Sequence, residues 1–376
     1  MESKKTLIGE FACGRNGSTL IMRLVDGSPG VYVHPIECNF LAVWNDLVRF
    51  GKVRECVRKN ALTTPLHFLH KPINRTLLYK FFNSHTKEMS SLLEKNKLNP
   101  QGPDPWETLS QEEYTLEKFI PAFLNAHALW TEGTASYPHL FFKTIEAAYV
   151  DDYIRTFPDI KCIHVFRNPI DVFRSAKRTN GMKGTAAFHP GLPHDTYDVF
   201  IERRWIPHAR YALGHTKPDT HVICRYEDAC NYPGEELRIL AKHCGFPPSK
   251  DPSALSLFGG RGKLYIPPNT SSLYIDTPKT VLKDTTSLYD AEEILTQREK
   301  ALILYRTWGL ARMLGYFSDK RKPSLLPLLC SWIPIDVWET RGKNLRVPHR
   351  RILCGIVRRR LSVILYLMRP QRNRHL

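Results

Sequence analysis

Residues 13–20 read CGRNGSTL, between the apolar runs TLIGEFAC and LIMRLV. Gly14 and Gly17 allow a tight turn whose backbone N–H groups point inward. A helix following the turn would add its positive N-terminal end. Arg15 brings a fixed charge, and Ser18 and Thr19 bring hydroxyl donors. Such a turn suits a phosphate or a related anion. It is not the ATPase form G-x-x-x-x-G-K-[ST], because Gly17 stands where the lysine belongs, and no G-x-G-x-x-G occurs. A second cluster is HVFRNPIDVFRSAKR. Arg167 would end a strand there, and Ser175 would lie a little over two turns along the next helix. An arginine at the carboxyl edge of a parallel sheet and that serine could grip one more phosphate.

The elements that must position these groups follow from pattern. TLIGEFACG reads as a buried strand ending in a glycine turn, and STLIMRLVDG as the helix that the turn opens. GVYVHP, HLFFKT, KCIHVFRNP and THVICRYED read as further strands. AAYVDDYIRTF, IDVFRSAKR and PGEELRILAKHCGF read as helices. Strands alternating with helices predict an α/β fold with a mainly parallel sheet flanked by helices. With the glycine turn after its first strand, this is a P-loop-like three-layer sandwich.

The bulk properties are those of a soluble globular protein. The 376 residues are 42% hydrophobic and 24% charged, with a net charge of +17. Residues 320–376 hold 14 Lys and Arg against only Asp336 and Glu339, so most of the positive charge belongs to that tail. Its apolar runs, SLLPLLCSWIPIDVW and LSVILYLM, are too short to span a bilayer. Basic clusters beside short apolar faces suit either an anionic membrane surface or packing on the main domain. No nucleic-acid-binding motif accompanies the charge. The start, MESKK, is polar and lacks a secretory apolar region. Nine cysteines without a C-x-x-C pair predict neither zinc nor a disulfide framework, hence a cytoplasmic, reducing location and no metal.

At these motifs the chain resembles the sulfotransferases that use 3′-phosphoadenosine 5′-phosphosulfate (PAPS). GRNGSTL is similar to that family's 5′-phosphosulfate loop, [PG]-[RK]-[SG]-G-[ST]-T-L, with Asn16 as the odd residue. RNPIDVFRS matches its 3′-phosphate motif, R-[DN]-P-x-D-x-x-x-S, at every defined position. The resemblance implies that Arg15, Asn16, Gly17, Ser18, Thr19 and Leu20 hold the phosphosulfate and that Arg167 and Ser175 hold the 3′-phosphate. It implies that Tyr226 of RYEDACNYPGEE lies near the adenine. FGGRGKLY could add Arg261 and Lys263 over the nucleotide. The product would be 3′-phosphoadenosine 5′-phosphate (PAP).

Sulfuryl transfer requires that the acceptor hydroxyl lose a proton and that charge on the leaving phosphate be stabilised. Arg15 suits the second task, since it stays charged but donates protons poorly. The family's cytosolic phenol and steroid enzymes carry K-T-H with histidine as base. This chain reads FFKTIEA, with Ile145 at the histidine position. Its carbohydrate enzymes for heparan-type sugars carry a glutamate six residues after the valine of H-P-x-V. SPGVYVHPIECNFL puts Glu37 six residues after Val31. Glu37 is therefore the expected base, with His34 and Glu146 as alternatives, and Lys143 completes the site. The expected acceptor is a carbohydrate or glycoconjugate hydroxyl, with lipid, small-molecule or tyrosine hydroxyls as alternatives. A nucleoside-phosphate kinase or an inactive nucleotide-binding protein is the reading from outside the sulfotransferases. The expected organisation is a sulfotransferase domain over 1–319, with a helical acceptor-site insertion at 40–130, and a basic extension over 320–376.

Overall fold

A computed structural model describes residues 5–53, 68–183, 198–215, 219–251, 255–261, 295 and 297–318. The chain groups into two compact units. The first comprises Met1–Phe166 and Lys217–Thr285, the second Arg167–Thr216 and Thr286–Leu376. The basic tail and Lys263 lie outside the described residues.

The first unit is built on five parallel strands: β1 (Thr6–Phe11), β2 (Val31–Glu37), β5 (His139–Thr144), β6 (Lys161–Phe166) and β7 (His221–Arg225), in the order β2-β5-β1-β6-β7. This is the expected α/β sheet, with helices on both faces. On one face Ile8, Val33, Phe141 and Val165 pack with Leu20, Ile21 and Leu24 of α1 (Ser18–Val25) and with helices α9 (Tyr226–Asn231) and α10 (Pro233–Cys244). On the other, Phe11 and Phe142 meet Tyr153 of α6 (Val150–Thr156). Phe40 of α2 (Phe40–Phe50) packs edge-on against Phe142 on that same face. Near-continuous apolar strands such as HLFFKT and KCIHVF follow from burial on both faces. Strand order reverses beside β1, and the glycine turn emerges from its carboxyl end, where open α/β sheets bind ligands.

Between β2 and β5 run α2, α3 (Arg75–Lys95), α4 (Pro105–Thr108) and α5 (Leu116–Glu132), with a short antiparallel pair, β3 (Ile73–Asn74) and β4 (Glu113–Tyr114). Trp44, Phe82 and Trp106 are buried in this layer, so they serve as core. Phe50 and Tyr79 are its exposed aromatics. The stretch YED was expected to end a strand, but β7 stops at Arg225. Tyr226 opens α9, where Arg225 forks onto Asp228 one turn ahead (2.5 and 2.7 Å).

The second unit packs α11 (Gln297–Met313) on α7 (Pro169–Lys183) and α8 (Ile206–Gly214), with a π-helical turn at Asp198–Trp205. Arg306 forks onto Glu202 through two 2.6 Å bonds in a largely buried pair. Among the described residues, no helix is long and apolar enough to cross a membrane.

Candidate active site

The turn between β1 and α1 owes its shape to three positive φ angles, at Gly14 (77°), Arg15 (62°) and Gly17 (89°). Gly17 is the N-cap of α1, and no side chain caps that helix. Its first N–H groups have no partner within the helix, so they suit an anion. The Tyr226 ring lies so close to Gly17 that an added Cβ would stand 1.9 Å from its Cδ2. Tyr226, buried in the core, therefore braces the turn from behind.

Within the turn the six expected residues divide. Arg15 is half-buried and Thr19 exposed. Asn16 points inward, wholly buried, and its Nδ2 donates to the Val165 carbonyl at 2.9 Å, tying the turn to β6. Leu20 faces inward. Its side chain is core, and its N–H already donates to the Gly17 carbonyl at 2.8 Å.

Lys143 closes the arrangement. It stands near the carboxyl end of β5, and its Nζ donates to Thr19 Oγ1 at 3.1 Å. In register it faces Glu37 on β2 and Glu10 on β1. Glu10, Lys143 and Glu37 thus form a row across three strands on the face that carries α1. Glu37 is the last residue of β2 and half-buried. A relay steadies it: Asn39 Nδ2 donates to Glu37 Oε1 (3.4 Å), and Thr144 Oγ1 donates to Asn39 Oδ1 (3.3 Å).

Glu10 was not singled out from the sequence. It is wholly buried, and neither carboxyl oxygen has a hydrogen-bond partner among the described residues. Burial pushes its pKa well above the usual carboxylate range; Lys143 opposes that shift and Glu37 adds to it. Glu88, on α3, joins the same group. Burial raises its pKa, Glu37 adds to the rise, and Lys143 opposes it. A lone carboxylate inside an apolar strand was the one available sign of Glu10. Glu88 left none.

The two alternative bases have other work. Glu146 accepts from the N–H groups of Leu41 (3.2 Å) and Ala42 (2.8 Å) and from the Tyr153 hydroxyl (2.6 Å). It thereby caps the start of α2. Burial pushes its pKa up to about 7 against these donors. His34 is wholly buried, and burial, with His127 and His85 nearby, holds it well below the usual histidine range.

Arg261 is held by contacts within the protein. Its turn is clamped by Asp26, just past the C-terminal end of α1, through Ser256 Oγ (2.6 Å), Gly259 N (3.1 Å) and Gly260 N (3.0 Å). That is the far end of α1 from the glycine turn, about 12 Å away. Arg261 Nη2 donates to the Thr131 carbonyl and its Nε to Phe258 O at 3.2 Å.

In the second unit, Arg167 directly follows β6. Its carbonyl accepts from Trp205 Nε1 at 3.0 Å, and Ser175 is buried on α7. Asn168 Oδ1 accepts from Ile170 N (3.0 Å) at the start of that helix.

The family model described as sulfotransferase family matches residues 11–251. No curated protein matches the chain. Among solved structures, it is similar to the sulfotransferase domain from the Synechococcus PCC 7002 olefin synthase, with 16% identity over 84% of this chain and 96% of that one, TM-score 0.49. It is also similar to the sulfotransferase domain from the curacin biosynthetic pathway, with 17% identity over 83% and 98%, TM-score 0.49.

Proposed function

For this chain, which belongs to the sulfotransferase family and is a sulfotransferase enzyme, we propose transfer of a sulfuryl group from PAPS to a carbohydrate or glycoconjugate hydroxyl, with Glu37 as general base. The family uses PAPS as sulfate donor and a hydroxyl as acceptor. The observation that carries the reading is the junction of Lys143 with Thr19 at the uncapped start of α1, with Glu37 beside Lys143 on the next strand. The donor supplies an activated sulfuryl group on a good leaving phosphate. Backbone N–H groups of the turn, Arg15, Ser18 and Thr19 hold the anion. Lys143 and Arg15 offset charge as it builds on the leaving oxygen. Glu37, half-exposed and held by Asn39, takes the acceptor proton. Arg167 and Ser175, by their match to the 3′-phosphate motif, are the proposed ligands of that group.

The glycan assignment rests on Glu37 standing where the heparan-type enzymes carry their base and on Ile145 replacing the histidine of the phenol and steroid enzymes. The helical layer of α2–α5 is the proposed acceptor wall, with exposed Tyr79 as a candidate platform for a sugar face. The basic tail is proposed to touch an anionic membrane surface.

The test is incubation of the full chain with isotopically labelled PAPS and a panel of glycans, lipids and phenols, read by mass spectrometry. Sulfated glycans among the products support the reading. Sulfated phenols or lipids without glycans overturn the acceptor class. Exchange with ATP and none with PAPS overturns the donor.

A further inference from the structure

Where β2 breaks register with β5, between Val33 and Glu37, three metal-ligating side chains meet that the sulfotransfer reading does not use. They are His34 on β2, Cys38 just after it and His85 on α3. One ligand atom from each lies within 4.8 Å of the other two. Cys38 Sγ is 3.9 Å from His85 Nδ1, and the His34 and His85 rings stack with centroids 5.9 Å apart. His34 and Cys38 are wholly buried.

A packed core explains a buried histidine when both ring nitrogens are satisfied. His127, next in the same cluster, meets that condition. Its Nδ1 pairs with the Phe123 carbonyl (2.9 Å) and its Nε2 with Thr86 Oγ1 (3.2 Å). His34 does not. Its Nδ1 pairs with the Tyr32 hydroxyl (3.3 Å), while its Nε2 is buried without a partner among the described residues. An orphaned buried nitrogen is costly unless something completes it. A hydrogen bond from one ring nitrogen with the other aimed at an ion is the usual arrangement of a metal-bound histidine.

We propose that His34 Nε2, Cys38 Sγ and a ring nitrogen of His85 bind one divalent cation of the zinc class, leaving a fourth position open. One thiolate and two imidazoles favour such a borderline-soft ion over magnesium or calcium. Tetrahedral bonds of about 2.0 Å to nitrogen and 2.3 Å to sulfur place ligand atoms roughly 3.3–3.6 Å apart. The cluster closes to that size when its separations shorten by at most about 1.5 Å. On binding, the Cys38 thiol gives its proton to solvent and the thiolate bonds to the ion. Because Glu37 immediately precedes Cys38, the ion would fasten the end of β2 to α3 and fix the carboxylate's position. The inference does not depend on the acceptor or on the identity of the base.

The test uses the full chain, stripped with a chelator and titrated with zinc and, separately, with cobalt(II). The expected result is one equivalent of zinc bound and a cobalt spectrum with tetrahedral ligand-field bands and a thiolate charge-transfer band. Cys38→Ser should lose the charge-transfer band. His85→Phe, at a half-buried site, should weaken zinc affinity by at least about 10–100-fold. Cys230→Ala, outside the cluster, should bind like the parent. A parent chain with no thiolate–cobalt band, or one whose band survives in Cys38→Ser, overturns the proposal. Should Cys38→Ser fail to fold by circular dichroism, the parent spectrum and His85→Phe decide it.

Discussion

Replacing Gly17 with alanine tests whether the turn is braced as described. Two costs meet there. At φ 89° an L side chain is strained by about 1–2 kcal/mol. The new Cβ also clashes with the edge of the Tyr226 ring, and forcing that ring aside costs about 1–3 kcal/mol. The sum is about 2–5 kcal/mol. Gly51 is the control, because it also has positive φ (61°) but no atom within 4 Å of an added Cβ. Gly51→Ala should therefore cost only the strain, about 1–2 kcal/mol. Urea denaturation of both variants, followed by tryptophan fluorescence, gives the comparison. In Gly17→Ala/Tyr226→Ala the clash is gone, so the double variant should be less damaged than the sum of the singles by about 1–3 kcal/mol. Equal losses for Gly17→Ala and Gly51→Ala, or simple additivity in the double variant, would refute the brace.

Glu10 should make the fold lose stability as pH rises. Its folded pKa lies above the unfolded value of about 4.3, so its contribution is complete below that value and is lost as pH rises toward the folded pKa. Glu10→Gln should gain stability relative to the parent from about pH 4 upward, seen as diverging melting temperatures; parallel profiles would sink the idea. Arg167→Ala should weaken PAP binding by about ten- to a hundredfold, the worth of one charge-assisted contact of roughly 1.5–3 kcal/mol. Adenosine 5′-phosphosulfate, which lacks the 3′-phosphate, should bind that variant as it binds the parent, and calorimetry with both ligands distinguishes the 3′-phosphate role from a general loss of fold.

Much of the frame was legible because burial on both faces leaves unmistakable apolar strands. HLFFKT is β5 to the residue, and the CGRNGSTL turn opens α1 where its glycines and hydroxyls indicated. What sequence pattern missed depends on contacts between distant residues. Glu10 looked like an incidental polar residue in a strand until register set it opposite Lys143. Nothing in the local pattern showed that Asp26 fastens the turn of Arg261 to the C-terminal end of α1. The burial of Glu146 and His34, and the hydrogen bonds that Glu146 accepts from α2 and Tyr153, came only from the fold. The His34, Cys38 and His85 cluster joins a strand end to a helix across a long stretch of chain, and no local spacing announces it. Arg15, Lys143 and Glu37 were named from motif likeness, while the Thr19 bond and the Asn39 relay that hold two of them came only from the fold.

The most direct test of the central claim is sulfuryl transfer by Glu37→Gln, measured with labelled PAPS and the best acceptor of the panel beside PAP affinity of the same protein. General-base catalysis contributes about 10²–10⁴-fold, so transfer should fall by at least a hundredfold. PAP affinity should stay within about twofold of the parent, because Glu37 is assigned to the acceptor proton and not to the nucleotide. Transfer at the parent rate in Glu37→Gln would contradict the account, and so would a loss of transfer matched by an equal loss of PAP binding.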